Sequence, residues 1–525
     1  MTDAPGPEDG LRPGVLAAAE AALRRAAPDL PAEAAALLRR LHEGVPTAEL
    51  AEMPPEALAE AAASLFAFAA ERAPGQAKLR VLSPGPRPGR GGAQVVEIVT
   101  DDMPFLVDSA LAALAVRGRV VRRLLHPILP IRRDAEGRLL ALGDGARESV
   151  MRITLAPGVA TTLGAGGLAA EPGDDDALHT ALARAMADVR LAVGDFAPML
   201  ARLREAEEEV GGGEGAEFLR WLADDNFVLL GHRRIALDDA GGAAVAQGED
   251  LGVLRDPALS VFDALNSLPD LPPAVRAMLG NLPAVSVAKS NMRSLVHRPQ
   301  HADVVITRLR DAAGRVVGGR MFLGLFAAGA YNRNPRSIPL LREKVLRILA
   351  QAGVEPETHD GRALRNILDT WPRDELFQAP EAAILDGCRR ALDLSIRPRA
   401  ALVLRRDPFE RFVSAIVWLP RDTFDTSLRE RVGALIAGAF AGRISAFYTQ
   451  LGDAPLVRVH YVIGTRPGAV PAVEDAALEA AVAQAARGFR ERLEEAVCRE
   501  RGDAAAACIL PRWRDAFPLT YRQSE

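Results

Sequence analysis

The sequence predicts an α+β, multidomain fold: tandem βαββαβ sandwiches joined by helical spacers. Three observations predict it. Runs rich in β-branched residues alternate with longer runs of helical period. The order β-α-β-β-α opens after residue 92, and its theme returns, in element order only, after residue 400. Ala/Leu/Glu/Arg stretches with helical spacing lie before and between these regions. At 525 residues the chain has room for roughly three or four domains of about 150 residues.

Taken in order, residues 1–12 are acidic and rich in Pro and Gly, and are expected to be disordered. From "GVLAAAEAALRRAA" to "EALAEAAASLFAFAAERA" the spacing predicts three or four short helices, broken at Pro31, Pro46, Pro54 and Pro55; residues 1–82 form an N-terminal helical segment. "SPGPRPGRGG" (83–92) reads as a linker. The first sandwich is expected over 93–210. "AQVVEIVT" (93–100) is a strand, and "PFLVDSALAALAVRG" a helix stopped by Gly118. "RVVRRLLHPILPIRRD" (119–134) is a strand running into a turn at "AEGR", and "ESVMRITLA" (148–156) the next strand. A long helical tract follows, and β-α-β-β-α is the opening of a ferredoxin-like sandwich.

"GGGEG" (211–215) introduces a second region, 216–395. Here "NFVLLGHRRIAL" and "AVSVAKSNMRSLVHRP" read as strands, and "ADVVITRLRDAAGRVVGGRMFLGLF" as a hairpin turning at "DAAG". Helices follow over 338–353 and after Asp360. The third region, 400–525, has strands "ALVLRRD" and "RFVSAIVWLP", a helix after Asp425, strands "RISAFYTQLG" and "LVRVHYVIGT", and a last helix. Its tail, "WRDAFPLTYRQSE", supplies no closing strand.

Composition narrows the function. Hydrophobic residues make up 49% and charged residues 25%, an ordinary globular balance. A net charge of −5 offers no basic surplus for nucleic acid or an anionic membrane. Cys388, Cys498 and Cys508 have neither CxxC spacing nor a disulfide pattern. The start lacks a signal-peptide pattern, and no apolar run approaches the ~18 residues of a spanning helix, so a soluble cytoplasmic protein is expected. Lysine occurs only at Lys78, Lys289 and Lys344; nearly all positive charge is Arg.

Candidate chemistry is sparse. Asp101 and Asp102 are adjacent, so they point apart in an extended or turn backbone and make a poor catalytic or metal pair. Pro104 suits a first helical position, and Asp102 before it suits a cap. A capping turn, and a ligand site on the same free N–H groups, both remain open. "GAGGLA" (164–169) fits GxGxxA but lacks the flanking strand and helix of a dinucleotide site. His297 and His301 have HxxxH spacing, but Pro299 between them breaks any shared helix face. "NRNPRS" before a helix suggests an anion site or a solvated loop, and "WPRDELFQ" a loop or interface. Cys388 has no evident base beside it.

Several long stretches carry more. "VEIVTDDMPFLVDSALAALAVRG", "FLRWLADDNFVLLGHRR", "SNMRSLVHRP", "GRMFLGLFAAGAYNRNPRSIPLLREKV", "HDGRALRNILDTWPRDELFQ" and "RRDPFERFVSAIVWLPRDTFDTSLRERV" occur in that order. Together they resemble the N-terminal portion of the large bacterial NAD-specific glutamate dehydrogenases, over about residues 90–525. The resemblance implies a family enzyme that converts L-glutamate and NAD to 2-oxoglutarate, ammonium and NADH. It implies ACT-type (βαββαβ) domains with a PAS-like element, serving assembly and effector response. It makes the first βα turn, Asp101, Asp102, Met103, Pro104 and Phe105, the candidate site for an amino-acid effector.

The same resemblance places the dehydrogenase domain beyond the matched stretches. Lys78, Lys289 and Lys344 lack the glycine-rich surroundings of the family's active-site lysines. The expectation is therefore a regulatory fragment with no catalytic, cofactor-binding or metal residues of its own, NAD belonging to the complete enzyme. Its region 400–525 would be an ACT-like domain truncated before the dehydrogenase domain. Its partners would be itself, as a homo-oligomer, and the missing dehydrogenase domain, with no nucleic acid and no membrane. The alternative is a stand-alone ACT-type amino-acid-binding regulator.

Overall fold

The computed structural model describes residues 11–83, 93–156, 175–237, 243–246, 248–257, 259, 261, 283–408, 410–452 and 454–502. Residues 1–10, most of the 83–92 linker, the "GAGGLA" loop and the "WRDAFPLTYRQSE" tail lie outside the described residues. Residues 11 and 12, expected to be disordered, begin a helix instead, because Arg12 Nη1 donates to the Glu43 carbonyl at 2.5 Å.

Four helices open the chain: α1 (Leu11–Ala26), α2 (Ala32–His42), α3 (Thr47–Ala51) and α4 (Pro55–Ala69). Proline sets their starts: Pro31, Pro46 and Pro54 are N-caps and Pro55 is a first helical residue, where a missing N–H costs nothing. Their apolar faces, including Leu38, Leu50, Leu58 and Leu65, pack with Val99, Leu129, Ile131 and Val150 of the first sheet.

That sheet contains β1 (Lys78–Leu82), β2 (Val95–Asp101), β3 (Val121–Leu125), β4 (Ile128–Arg133), β5 (Leu139–Leu142) and β6 (Ala146–Leu155). The order is β1-β2-β6-β4-β5, with β3 also on β6 and every pairing antiparallel. Helix α5 (Leu106–Val116) joins β2 to β3, and α6 (Asp175–Gly194) follows β6. The single strand expected over 119–134 is two strands, separated at His126 and Pro127. Strand β1 falls inside the segment read as helical, and takes the edge position beside β2 that a βαββαβ sandwich would fill with its last strand.

The third region repeats the device. Strands β13 (Ala401–Arg406), β14 (Phe412–Pro420), β15 (Arg443–Gln450) and β16 (Leu456–Gly464) pair in the order β13-β14-β16-β15. Helix α14 (Thr426–Ala439) joins β14 to β15, and α15 (Asp475–Ala486) follows β16. The missing closing strand is thus supplied by β13, from before β14 and through a hairpin, so the four-stranded sheet is complete. Helix α14 starts after Asp425 as expected, and Asp425 caps it, accepting from the Leu428 N–H at 2.6 Å.

Between them, α7 (Phe196–Val210) and α8 (Gly213–Trp221) lead into a sheet of β7 (Phe227–Leu237), β8 (Ala243–Val245), β9 (Leu251–Gly252), β10 (Val285–Arg293), β11 (His301–Arg310) and β12 (Val316–Phe326). Its order is β10-β11-β12-β7-β8 with β9 on β7, all antiparallel. The hairpin at "DAAG" forms as read, with Gly314 at φ +81°. Within it β10, β11 and β12 form a meander, and β12 also pairs with β7. After α9 (Ala328–Asn332) come α10 (Leu341–Ala352), α11 (His359–Thr370), α12 (Arg373–Gln378), α13 (Glu381–Ile396) and, last in the described chain, α16 (Phe489–Arg501). Helix α11 starts at His359, so Asp360 lies inside it and not before it, and Thr358 is its cap.

Two cores join the three sheets. One gathers α5, α6 and β2 with Leu230, Val304 and Leu323 of the second sheet. The other gathers α7, α8 and α10–α13 with Phe322, Phe326 and, from the third sheet, Ile416 and Trp418. Among the described residues no helix is long and apolar enough to cross a membrane.

Candidate functional site

The first βα turn differs from its sequence reading. The β2–β6 ladder runs one residue past Asp101, because the Asp102 N–H donates to the Arg147 carbonyl at 3.0 Å. The Asp102 carboxylate meets Arg147 Nε at 3.1 Å. Asp102 therefore caps nothing. Helix α5 begins at Leu106, Pro104 stands outside it, and the N-cap position is Phe105, at φ 70° and without a side-chain cap. A bulky residue with left-handed backbone is strained and persists only where its surroundings impose it.

Those surroundings come from the second sheet. His297, in the β10–β11 loop and also left-handed at φ 65°, lies ring to ring with Phe105 at 5.0 Å. Its N–H donates to Ser109 Oγ at 3.1 Å, and its Nδ1 faces Asp108 Oδ2 at 3.0 Å. The HxxxH pair is thus divided: His297 closes a joint between sheets, while His301 starts β11. Among the described residues no group of three His, Cys, Asp or Glu side chains could hold a metal.

Asp101 is equally engaged. Its oxygens accept from Arg72 Nη2 at 2.6 Å and Arg190 Nη1 at 2.7 Å. Arg72 and Arg133 both grip Glu148, Arg133 at 2.6 and 2.9 Å. Burial opposes the Asp101 charge, but hydrogen bonds from Arg190 and Arg72 outweigh it and hold the carboxyl below its usual range. Of the five candidate residues, both acids are paired, Met103 and Phe105 pack against the core, and Pro104 is exposed.

A second cluster collects stretches far apart in sequence. Lys289 Nζ, from β10, donates to Asp303 Oδ1 at 2.6 Å and to Asp374 Oδ1 at 3.2 Å. Tyr331 Oη donates to the same Asp374 oxygen at 3.4 Å. From the third sheet, Arg411 Nη1 donates to the Lys289 carbonyl at 2.7 Å while its other nitrogens hold Asp407. Arg405 forks onto Glu375 with two contacts of 2.6 Å, and Ser414 Oγ lies 2.8 Å from His460 Nε2.

Two carboxylates answer one ammonium here, so their charges compete. Burial works against Lys289, but Asp303 and Asp374 outweigh it and keep it protonated. Burial, with Asp374 adding repulsion, pushes Asp303 up to about 6. Burial likewise lowers His460, leaving a neutral imidazole. Chemically, the cluster is a latch between the second and third sheets, with one acid poised to hold a proton.

Sequence spacing missed this latch, since Lys289 and Asp374 stand 85 residues apart. The available signal was the rarity of lysine in an Arg-rich chain. A compact ammonium fits between two acids where a planar guanidinium would not. "WPRDELFQ", read as a loop or interface, buries Arg373 and Glu375. "NRNPRS" closes on itself: Asn334 accepts from the Arg336 N–H, and Arg336 pairs with Asp369 at 2.9 Å. The N-terminus of α10 is already occupied, because Glu214 accepts from the Leu340 N–H at 2.7 Å.

Comparison with known proteins follows the same segments. Residues 37–160 match the family model for the ACT1 domain of glutamate dehydrogenase, 338–397 that for its helical motif 1, and 401–490 that for its ACT2 domain. Over 519 residues the chain is 31% identical to the NAD-specific glutamate dehydrogenase of Halomonas elongata, covering 94% of this chain and 31% of that protein. It is 29% identical over 450 residues to the enzyme of that name from Pseudomonas aeruginosa, covering 82% of this chain and 27% of that protein. For the Mycobacterium tuberculosis protein of the same name the identity is 28%, over 75% of this chain and 23% of the relative. The chain spans about a third or less of the length of these relatives.

Proposed function

We propose, from the premise that ACT1, helical-motif and ACT2 segments place this chain in the glutamate dehydrogenase family, that it is the regulatory and oligomerising portion of an NAD-dependent enzyme. In the complete protein that enzyme oxidises L-glutamate with NAD to 2-oxoglutarate, ammonium and NADH. One observation carries the reading: the matched segments are ACT and helical-motif domains, and two continuous cores tie them to the second sheet between them. A stand-alone amino-acid-binding regulator is less well supported, since all three relatives are dehydrogenases.

In this proposal the chain is cytoplasmic, assembles with itself and with a dehydrogenase domain, and assigns none of its own residues to NAD. The purified 525-residue protein is expected to form no NADH from glutamate and NAD; measurable turnover would overturn the reading. Sedimentation of the same protein tests self-association, and a strictly monomeric chain would remove the oligomerising role.

The turn Asp101–Phe105 is the proposed amino-acid effector site. Asp102 is the acid most easily freed there, because its partner Arg147 is 68% exposed. Calorimetric titration with amino acids should show binding weakened by Asp102→Ala more than the melting temperature falls. Binding unchanged by that substitution would leave the turn a purely structural joint.

A further inference from the structure

A cavity of about 510 Å³ opens where α9, the α11–α12 junction and strands β15 and β16 meet. Its size falls in the range of small-molecule sites. Tyr331, Arg373, Asp374, Tyr448, Arg458 and His460 stand on its wall. Their placement depends on both the second and third sheets, and the Asp101–Phe105 turn lies elsewhere.

The charges around it do not balance. Arg373 is 8% exposed and donates only to carbonyls: Trp371 at 3.2 Å, Arg333 at 2.8 Å and Asp369 at 2.9 Å. Its Nε has no partner. Arg458 donates to the Thr370 carbonyl and to the Gln450 side-chain oxygen, and its guanidinium lies 5.7 Å from the Trp371 ring centre. Neither guanidinium makes an ion pair with a carboxylate of the described residues. The nearby acids are already committed: Asp369 to Arg336, Asp374 to Lys289, and Glu375 to Arg405.

The other arginines as deeply buried as Arg373 among the described residues, Arg72, Arg320 and Arg411, each find an acid. Buried cations without counter-charge are costly. Burial, and then the neighbouring Arg373, lower Arg458 to about 10. Two guanidiniums without a carboxylate partner therefore share the wall of one cavity.

We propose that this cavity binds a small ligand through an oxyanion group, carboxylate or phosphate, held between Arg373 and Arg458, with the Tyr331 and Tyr448 hydroxyls completing the polar wall. An occupant would fasten the α11–α12 junction to the third sheet. The site stands apart from the dehydrogenase reading: turnover by the isolated chain would overturn that reading and leave this one intact.

Isothermal titration calorimetry of the 525-residue chain with succinate, and separately with inorganic phosphate, at constant ionic strength, tests it. Saturable binding of one probe is expected, with a matching rise in melting temperature. Succinate alone identifies a carboxylate site, and phosphate alone a phosphate site. Arg458→Gln should weaken binding at least tenfold without lowering the melting temperature of the free protein, since it relieves repulsion. Tyr448→Phe, on an edge strand where folding is little at risk, should weaken binding several-fold. The proposal fails if neither probe binds above a chloride control. It fails equally if both variants bind as the parent does, or if Arg458→Gln destabilises the free protein while leaving affinity unchanged.

Discussion

Phe105 and His297, both in the left-handed backbone region, meet ring to ring at 5.0 Å across the seam between the first and second sheets. Each strained residue stands in a loop, and each is held there by the other sheet's loop. The seam therefore stores local strain against a tertiary contact.

A double-mutant cycle of Phe105→Leu and His297→Ala should give a coupling of about 1 kcal/mol, the usual worth of an aromatic pair. Chemical denaturation of the four proteins measures it. Additive losses would show that the two loops hold their conformations independently.

Asp101 and Asp102 should behave differently on truncation. Asp101→Asn leaves Arg72 and Arg190 without a shared acid, and should cost roughly 2 kcal/mol, in the range for hydrogen bonds to charged groups. Asp102→Ala breaks one largely exposed pair with Arg147 and should cost about 0.5 kcal/mol. Thermal unfolding ranks them, and the reverse order would restore the capping role for Asp102.

Asp303 should give stability a pH signature. Its folded pKa, pushed up to about 6, lies above the unfolded value near 4, so the fold holds the proton more tightly than the unfolded chain does. That contribution is present at low pH and is lost as pH rises from about 4 to about 6. Asp303→Asn removes the titration. The melting temperature of the variant relative to the parent should therefore rise with pH across this window. A constant difference would show that folding leaves the Asp303 titration unshifted.

Gly387 should not tolerate a methyl group. A Cβ there would stand 2.8 Å from the Trp371 ring, which packs against the bare backbone of α13. Gly387→Ala should destabilise by about 1–3 kcal/mol, as overpacking does, although alanine is the better helix former. Denaturant midpoints decide, and a stabilised variant would mean the ring moves aside freely.

Local signals were legible wherever neighbouring residues settle the outcome. Pro31, Pro46, Pro54 and Pro55 set the starts of the first helices. Asp425 caps its helix, and "DAAG" turns its hairpin. "DDMP" misled for a reason outside itself: the ladder to β6 captured Asp102, and the second sheet's His297 loop held Phe105. The helix began two residues later than its proline suggested.

By itself, then, the sequence determined the alternation of strands and helices, the proline-set helix starts, the hairpin turn and the resemblance to one family, because each is written in period, local chemistry or long collinear stretches. Only the tertiary structure decided that β1 and β13 close their sheets from the preceding side. It alone brought Lys289 to Asp303 and Asp374, and set Arg373 and Arg458 on one cavity wall, neither in an ion pair with a described carboxylate. Those are meetings between residues distant along the chain. Spacing constrains backbone conformation over a few residues, whereas the pairing of distant side chains is settled by which faces bury one another.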